Sequence, residues 1–186
     1  VDASFMINDT TGYIKLSKFS RTTFTEFSQA SATLLGEGMK KLIFDLRDNT
    51  GGYFDQALLL CDMFLKKGDE IVYMQGLHRK KDDCKGLLQD IALTVLINES
   101  TASSSEIFAG AIQDNDRGLI IGRRSFGKGL VQEPVYFSDG SGVRLTVARF
   151  YTPSGRCIQK PYSEDYQYDI YKRYADGEMY DADSIK

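Results

Sequence analysis

Hydrophobic and polar positions follow two periods along this chain, one suited to strands and one to helices. Residues 12–16 (Gly12-Tyr13-Ile14-Lys15-Leu16) read as a short strand. Thr23 and Glu26 then stand at capping-box spacing, and Phe27, Ala30, Leu34 and Leu35 recur on one helical face before Gly36 and Gly38 end it. Residues 42–46 (Leu42-Ile43-Phe44-Asp45-Leu46) form a nearly continuous apolar run, as expected of a strand covered on both faces. A polar turn with Gly51 and Gly52 follows, and Ala57, Leu60, Cys61, Phe64 and Leu65 then mark a second helix.

Residues 70–73 and 93–97 predict two further strands, separated by a charged segment, 75–90, that reads as a surface loop. A run of small hydroxylated residues precedes a third helical stretch with Ile107, Phe108, Ala111 and Ile112 on one side. Residues 119–121 predict a strand ending at Gly122. Residues 130–137 and 143–151 alternate like strands joined by a turn at 138–142. Strand and helix alternate to about residue 121 and strands dominate afterwards, which predicts an α/β domain with a mixed sheet and flanking helices. That core spans residues 1–160. Residues 161–186 are Tyr- and Asp-rich with little periodicity and are expected to form a partly ordered tail.

The chain has 186 residues, enough for one domain of ordinary size, with 42% hydrophobic and 26% charged residues. A net charge of −3, with both signs interspersed, argues against a nucleic-acid face or a polybasic membrane patch. No apolar run approaches the roughly 20 residues that cross a bilayer. Cys61, Cys84 and Cys157 are widely spaced and His78 is the only histidine, so the close cluster of N and S ligands that zinc requires is missing, and no metal or cofactor is expected. The opening Val1-Asp2-Ala3 has no initiator Met or signal peptide, as expected of an excised domain or processed product.

Three segments could carry chemistry, each where a strand ends. The turn 45–52 places Gly51 and Gly52 ahead of a helix, where open N–H groups can hold an oxyanion; alternatively the glycines only permit a tight turn. The run 100–106 (Ser100-Thr101-Ala102-Ser103-Ser104-Ser105-Glu106) can present a nucleophilic hydroxyl, whereas Ser103 and Glu106 also have capping-box spacing. The segment 122–129 nearly matches the phosphate loop G-x-x-x-x-G-K-[ST], but position 129 is Gly and the residues beyond alternate like a strand.

A serine nucleophile needs a base, and His78 lies in a polar, charged segment. Lysine is the alternative, provided that burial or neighbouring positive charge makes it neutral. Lys128, between Gly127 and Gly129, is the lysine best placed for burial; a surface lysine is the plain alternative.

These residues resemble the protease core of the C-terminal processing peptidases (tail-specific proteases), a Ser-Lys family. The resemblance runs from about Gly12 to Pro161. It rests on Gly12-Tyr13-Ile14, Asp45-Leu46-Arg47 with Asn49 and Gly51-Gly52, Ala102-Ser103 with Ser105-Glu106-Ile107, Gln113-Asp114, Phe126-Gly127-Lys128-Gly129 with Val131-Gln132, and Tyr151-Thr152-Pro153-Ser154-Gly155-Arg156. The chain departs from the pattern in having Ser104 where Ala is usual, Thr50 for Pro or Gly, and Ser125 for Thr.

The resemblance implies the crotonase/caseinolytic-protease superfold and a serine-type endopeptidase that cleaves near the C-termini of protein substrates through an acyl-enzyme. It assigns Ser103 as nucleophile, Lys128 as base and Gln132 as its orienting partner. The oxyanion donors become the Ser104 N–H and a glycine N–H from Gly51 or Gly52. It further implies polypeptide substrates, a PDZ domain in the full-length protein and a place in the cell envelope outside the cytoplasm; it leaves the oligomeric state open. The same fold also serves non-catalytic binding modules, the alternative that retention of Ser103, Lys128 and Gln132 argues against.

Overall fold

The computed structural model describes residues 1–74, 86–161 and 168–180, together with the main chain of residues 77–80. Its elements are β1 (Ala3–Asn8), β2 (Thr11–Lys15), α1 (Thr23–Gly36), β3 (Lys41–Asp45), α2 (Phe54–Phe64), β4 (Glu70–Met74), β5 (Leu77–Lys80), β6 (Ala92–Ile97), α3 (Ser104–Asp114), β7 (Leu119–Gly122), β8 (Leu130–Tyr136), β9 (Gly142–Tyr151) and α4 (Asp169–Ala175). Five strands form a sheet in the order β1-β2-β3-β6-β7, and four form a second sheet in the order β5-β4-β9-β8.

In the first sheet only the β1–β2 pair is antiparallel; β2, β3, β6 and β7 run parallel. The expected α/β class with a mixed sheet is therefore borne out, with a second, antiparallel sheet beside it. Parallel pairing has a geometric consequence. Asp45 lies opposite Leu96 and Ile97 opposite Gly122, so the three chemistry-bearing segments all leave the same sheet edge, at the carboxyl ends of its strands. Ligand sites of open α/β sheets form at this edge.

The core that fixes this arrangement is aromatic. Phe27, Phe44, Phe64 and Phe108 are wholly buried, with centroids 4.9 Å (Phe27–Phe44), 5.2 Å (Phe44–Phe108), 5.6 Å (Phe64–Phe108) and 6.0 Å (Phe27–Phe64) apart, all edge-on. Such pairs contribute about 0.5–1.5 kcal/mol each beyond area burial. They join α1, α2 and α3 to β3, so the helix that begins beside Ser103 is anchored to the strand that ends at Asp45.

Several expectations are corrected. The N-cap position of helix α1 is Thr22, not Thr23, and no side chain caps it: the Thr22 hydroxyl donates to Glu26 Oε1 at 2.6 Å, while Thr23 is buried and its hydroxyl accepts the Ser20 N–H at 2.8 Å. Within the segment read as a loop, β5 pairs with β4, including His78 opposite Tyr73; residues 75–76 and 81–85, Cys84 among them, lie outside the described residues. Ahead of the first strand read from the sequence, residues 3–8 form β1. Apart from these corrections, the segment expected to be a partly ordered tail holds α4, where the buried Arg173 donates to Arg124 O at 2.6 Å and Glu178 accepts from both arginines. Residues 162–167 and 181–186 lie outside the described residues.

Asp45 closes β3 with no exposed surface. It accepts the Tyr13 hydroxyl at 2.6 Å, the Arg47 N–H at 2.9 Å and the Arg47 guanidinium through Nη2 at 2.6 Å. Burial alone would raise its pKa, but these donors outweigh it and hold the carboxyl below the ordinary aspartate value. A depressed folded value stabilises the fold at pH above the unfolded value of about 3.9, and this contribution is lost as pH falls through the folded value. Urea midpoints measured from about pH 5 down to about pH 2 should therefore fall more steeply for the native chain than for Asp45→Asn. Equal acid slopes would show that Asp45 does not carry this stability.

Candidate active site

The first turn, residues 46–53, is locked by Asn49. This side chain is buried, donates from Nδ2 to Leu16 O at 2.8 Å and accepts the Gly51 N–H at 2.9 Å. Its main-chain carbonyl accepts the Ala102 N–H at 2.9 Å, so the glycine turn is tied to the hydroxyl-rich turn. Gly51 has φ +93°, and a Cβ there would lie 2.7 Å from both Ala102 O and Ser103 Cβ. Only glycine allows this approach.

The hydroxyl-rich turn divides its labour. Thr101 donates to Leu46 O at 2.8 Å, Ser104 to Gly52 O at 3.0 Å and Ser105 to Asn49 O at 3.1 Å. These three hydroxyls fasten the second turn onto the first. Ser103 differs: it is half-buried and adopts φ +59°, ψ −118°, a region costly for any residue with a Cβ, by about 1–3 kcal/mol. It also occupies the N-cap of α3, so the capping and nucleophile readings describe the same position.

The third segment, residues 123–129, runs from β7 into β8. No helix follows the Gly-Lys pair, which removes the phosphate-loop reading. The loop nevertheless cradles an anion, and that anion belongs to the protein. Glu106 is 4% exposed, and its Oε1 accepts the Ser125 hydroxyl and the Gly127 N–H, both at 2.7 Å. Its Oε2 accepts the N–H groups of Ser103 and Lys128, both at 2.8 Å. Burial raises the Glu106 pKa, and the four donors oppose the rise without cancelling it.

Ser103 and Lys128 are thus neighbours through their main chains, each amide resting on the same carboxylate oxygen. Their side chains are not joined: Lys128 is exposed, contrary to the expected burial, and no hydrogen bond links its Nζ to Ser103 Oγ. The flanking glycines serve backbone approach instead, since a Cβ on Gly129 would lie 2.5 Å from Gln159 N. Gln132 is the third residue of β8, exposed, and makes no hydrogen bond to Lys128. Its ladder partner is Thr146 whereas Val131 faces Ala148, which leaves Val147 as a bulge beside it.

Among the expected oxyanion donors, the Gly51 N–H is engaged by Asn49, while the N–H groups of Gly52 and Ser104 meet no acceptor among the described residues. The Ser104–Gly52 hydrogen bond holds these two turns together at the positive end of α3. Residue spacing did not point to Asn49 and Thr101 as ties, or to Glu106 as more than a capping partner. A glutamate directly ahead of the apolar run 107–112 in α3 is the signal that was available.

Comparison with known proteins identifies the family. The model of peptidase family S41 matches residues 10–170. A chloroplastic C-terminal processing peptidase of Tetradesmus obliquus is 41% identical over 152 residues, covering 80% of this chain and 33% of the relative. A carboxy-terminal-processing protease of Bartonella bacilliformis is 42% identical over 159 residues, covering 80% of this chain and 36% of the relative. The solved structure of the photosystem II D1 C-terminal processing protease superposes with TM-score 0.74 at 39% identity, over 80% of this chain and 39% of that one. The chain spans about a third of the length of these curated relatives. It belongs to peptidase family S41.

Proposed function

We propose that the chain is the catalytic core of a serine endopeptidase that cleaves near the C-termini of protein substrates. The observation that carries this reading is a strained, half-buried Ser103 followed by a Ser104 N–H that meets no acceptor among the described residues, with the main chain of Lys128 bound to the same carboxylate oxygen as its own. Names of relatives supply the C-terminal preference, and chloroplastic and bacterial relatives suggest action outside the cytoplasm. Among the described residues no helix is long and apolar enough to cross a membrane.

In this mechanism substrate, or another segment of the longer protein, covers Lys128 and strips its water. Desolvation favours the neutral amine. Lys128 Nζ then takes the Ser103 Oγ proton as Oγ attacks the scissile carbonyl carbon, and the N–H groups of Ser104 and Gly52 receive the developing oxyanion. Collapse of the tetrahedral intermediate breaks the C–N bond, and the leaving amine takes the proton from Lys128. Water, deprotonated by Lys128, attacks the ester, which releases the acid and restores the Ser103 hydroxyl. Gln132 would orient Lys128 once the amine turns inward. A PDZ domain elsewhere in the full-length protein would select substrate tails.

Two substitutions test the roles through hydrolysis of an unstructured protein such as casein. Ser103→Ala should abolish turnover, a loss on the order of 10⁶-fold in serine peptidases, whereas Ser100→Ala should leave it intact. Lys128→Arg should be as inactive as Lys128→Ala, because arginine keeps its proton near neutral pH. Turnover in Ser103→Ala or in Lys128→Arg comparable with the native chain would overturn the assignment.

A further inference from the structure

We infer that Glu106 is a positioning residue, whose carboxylate presets the main-chain frame of nucleophile and base so that only the Lys128 side chain has to move for the pair to close. The inference rests on the serine–lysine reading of Ser103 and Lys128 and adds a third residue to it.

The geometry carries it. Glu106 Oε2 accepts from the amides of both Ser103 and Lys128, so one atom spans two segments that are 25 positions apart in the chain. Glu106 Oε1 takes the loop's other two donors, Ser125 and Gly127. Residues 123–129 have no regular structure of their own, and a cavity of about 390 Å³, lined by Glu106, Ser125, Gly127, Thr152, Cys157 and Arg173, lies against them. On that side the loop meets open space, not a packed core, so hydrogen bonds hold it. Gly127 O and Gly129 bond to Lys160 and Gln159, but those contacts tie the loop to the segment beyond β9. Besides the Glu106 set, two bonds among the described residues fasten the loop to the turn after β6: the Phe126 N–H to Thr101 O at 2.9 Å and Arg123 Nε to Glu99 Oε2 at 2.8 Å. A carboxylate in this setting is difficult to replace. Glutamine keeps the shape, but its NH₂ would face N–H donors that need an acceptor.

The test separates this inference from the peptidase reading. In the native chain the amides of Ser103, Gly127 and Lys128 should exchange slowly with solvent. In Glu106→Gln all three should lose protection at least about tenfold, while Ile112 in α3 keeps its own. Ser125→Ala, which removes one donor only, should leave Ser103 and Lys128 protected. If Glu106→Gln does not fold, Glu106→Asp takes its place: it keeps the charge, but one methylene shorter it cannot reach all four donors, and protection should fall at some of the three amides.

In the activity arm, the substitution at Glu106 should lower kcat on the order of 10²-fold with KM changed little, as expected of a displaced base. In a Lys128→Ala background the further loss in the rate at which a fluorophosphonate labels Ser103 should be smaller than in the native background, because only the nucleophile is then left to misplace. Unchanged protection at the three amides in a folded Glu106 variant would overturn the inference, as would equal losses with and without Lys128. If Ser103→Ala keeps its activity, the peptidase reading fails on its own, and the exchange data still decide whether Glu106 holds the loop.

Discussion

A carboxylate loses several kcal/mol of hydration on burial unless donors replace the water, and a buried anion without partners would not survive in a folded chain. At Glu106 the replacement comes from two places at once. Two N–H groups and a hydroxyl arrive from the loop between β7 and β8, and one N–H arrives from the turn that opens α3. Satisfying one charge therefore requires that two distant segments meet. The local geometry of Ser103 and Lys128 follows from that requirement, and the core beneath it only has to hold α3 in place, which the four phenylalanines do.

The same economy explains the crowding of hydroxylated residues. A turn packed against another turn leaves carbonyls facing each other across a gap too small for water, and short side-chain hydroxyls are the donors that fit. Thr101, Ser104 and Ser105 each answer a carbonyl of the glycine turn, at Leu46, Gly52 and Asn49. Fastened in this way, the turn can hold Ser103 at a positive φ that its sequence neighbours do not favour. Gly51 completes the arrangement from the other side by bringing its backbone against Ser103.

Much of the fold was legible because burial leaves a periodic trace. The covered strand, read at 42–46 and found at 41–45, and the faces of α1, α2 and α3 could all be read from apolar spacing. Elements without a buried face leave no such trace. Edge strand β1 exposes Phe5 and Ile7, β5 is a charged segment paired to β4, and α4 is held by Arg173 and Glu178. At the site, the spacing of three between Ser103 and Glu106 showed the cap. The partners at Ser125, Gly127 and Lys128 come from a separate loop, and no local pattern connects them. The exposure of Lys128 was misjudged for a related reason: its flanking glycines reflect backbone contact with residues 158–160, which sequence spacing does not reveal.

Ser103 and Lys128 share a main-chain frame while their side chains stay apart, so the central claim is that the lysine side chain alone completes the pair. A crystal structure of the chain after reaction with a serine-directed peptidyl phosphonate tests this most directly. The account predicts the adduct on Ser103 Oγ, Lys128 Nζ turned inward to hydrogen-bonding distance of it, and the Glu106 bonds to the Ser103 and Lys128 amides unchanged. An adduct on another residue, or a lysine brought inward by a loop that has left Glu106, would contradict it.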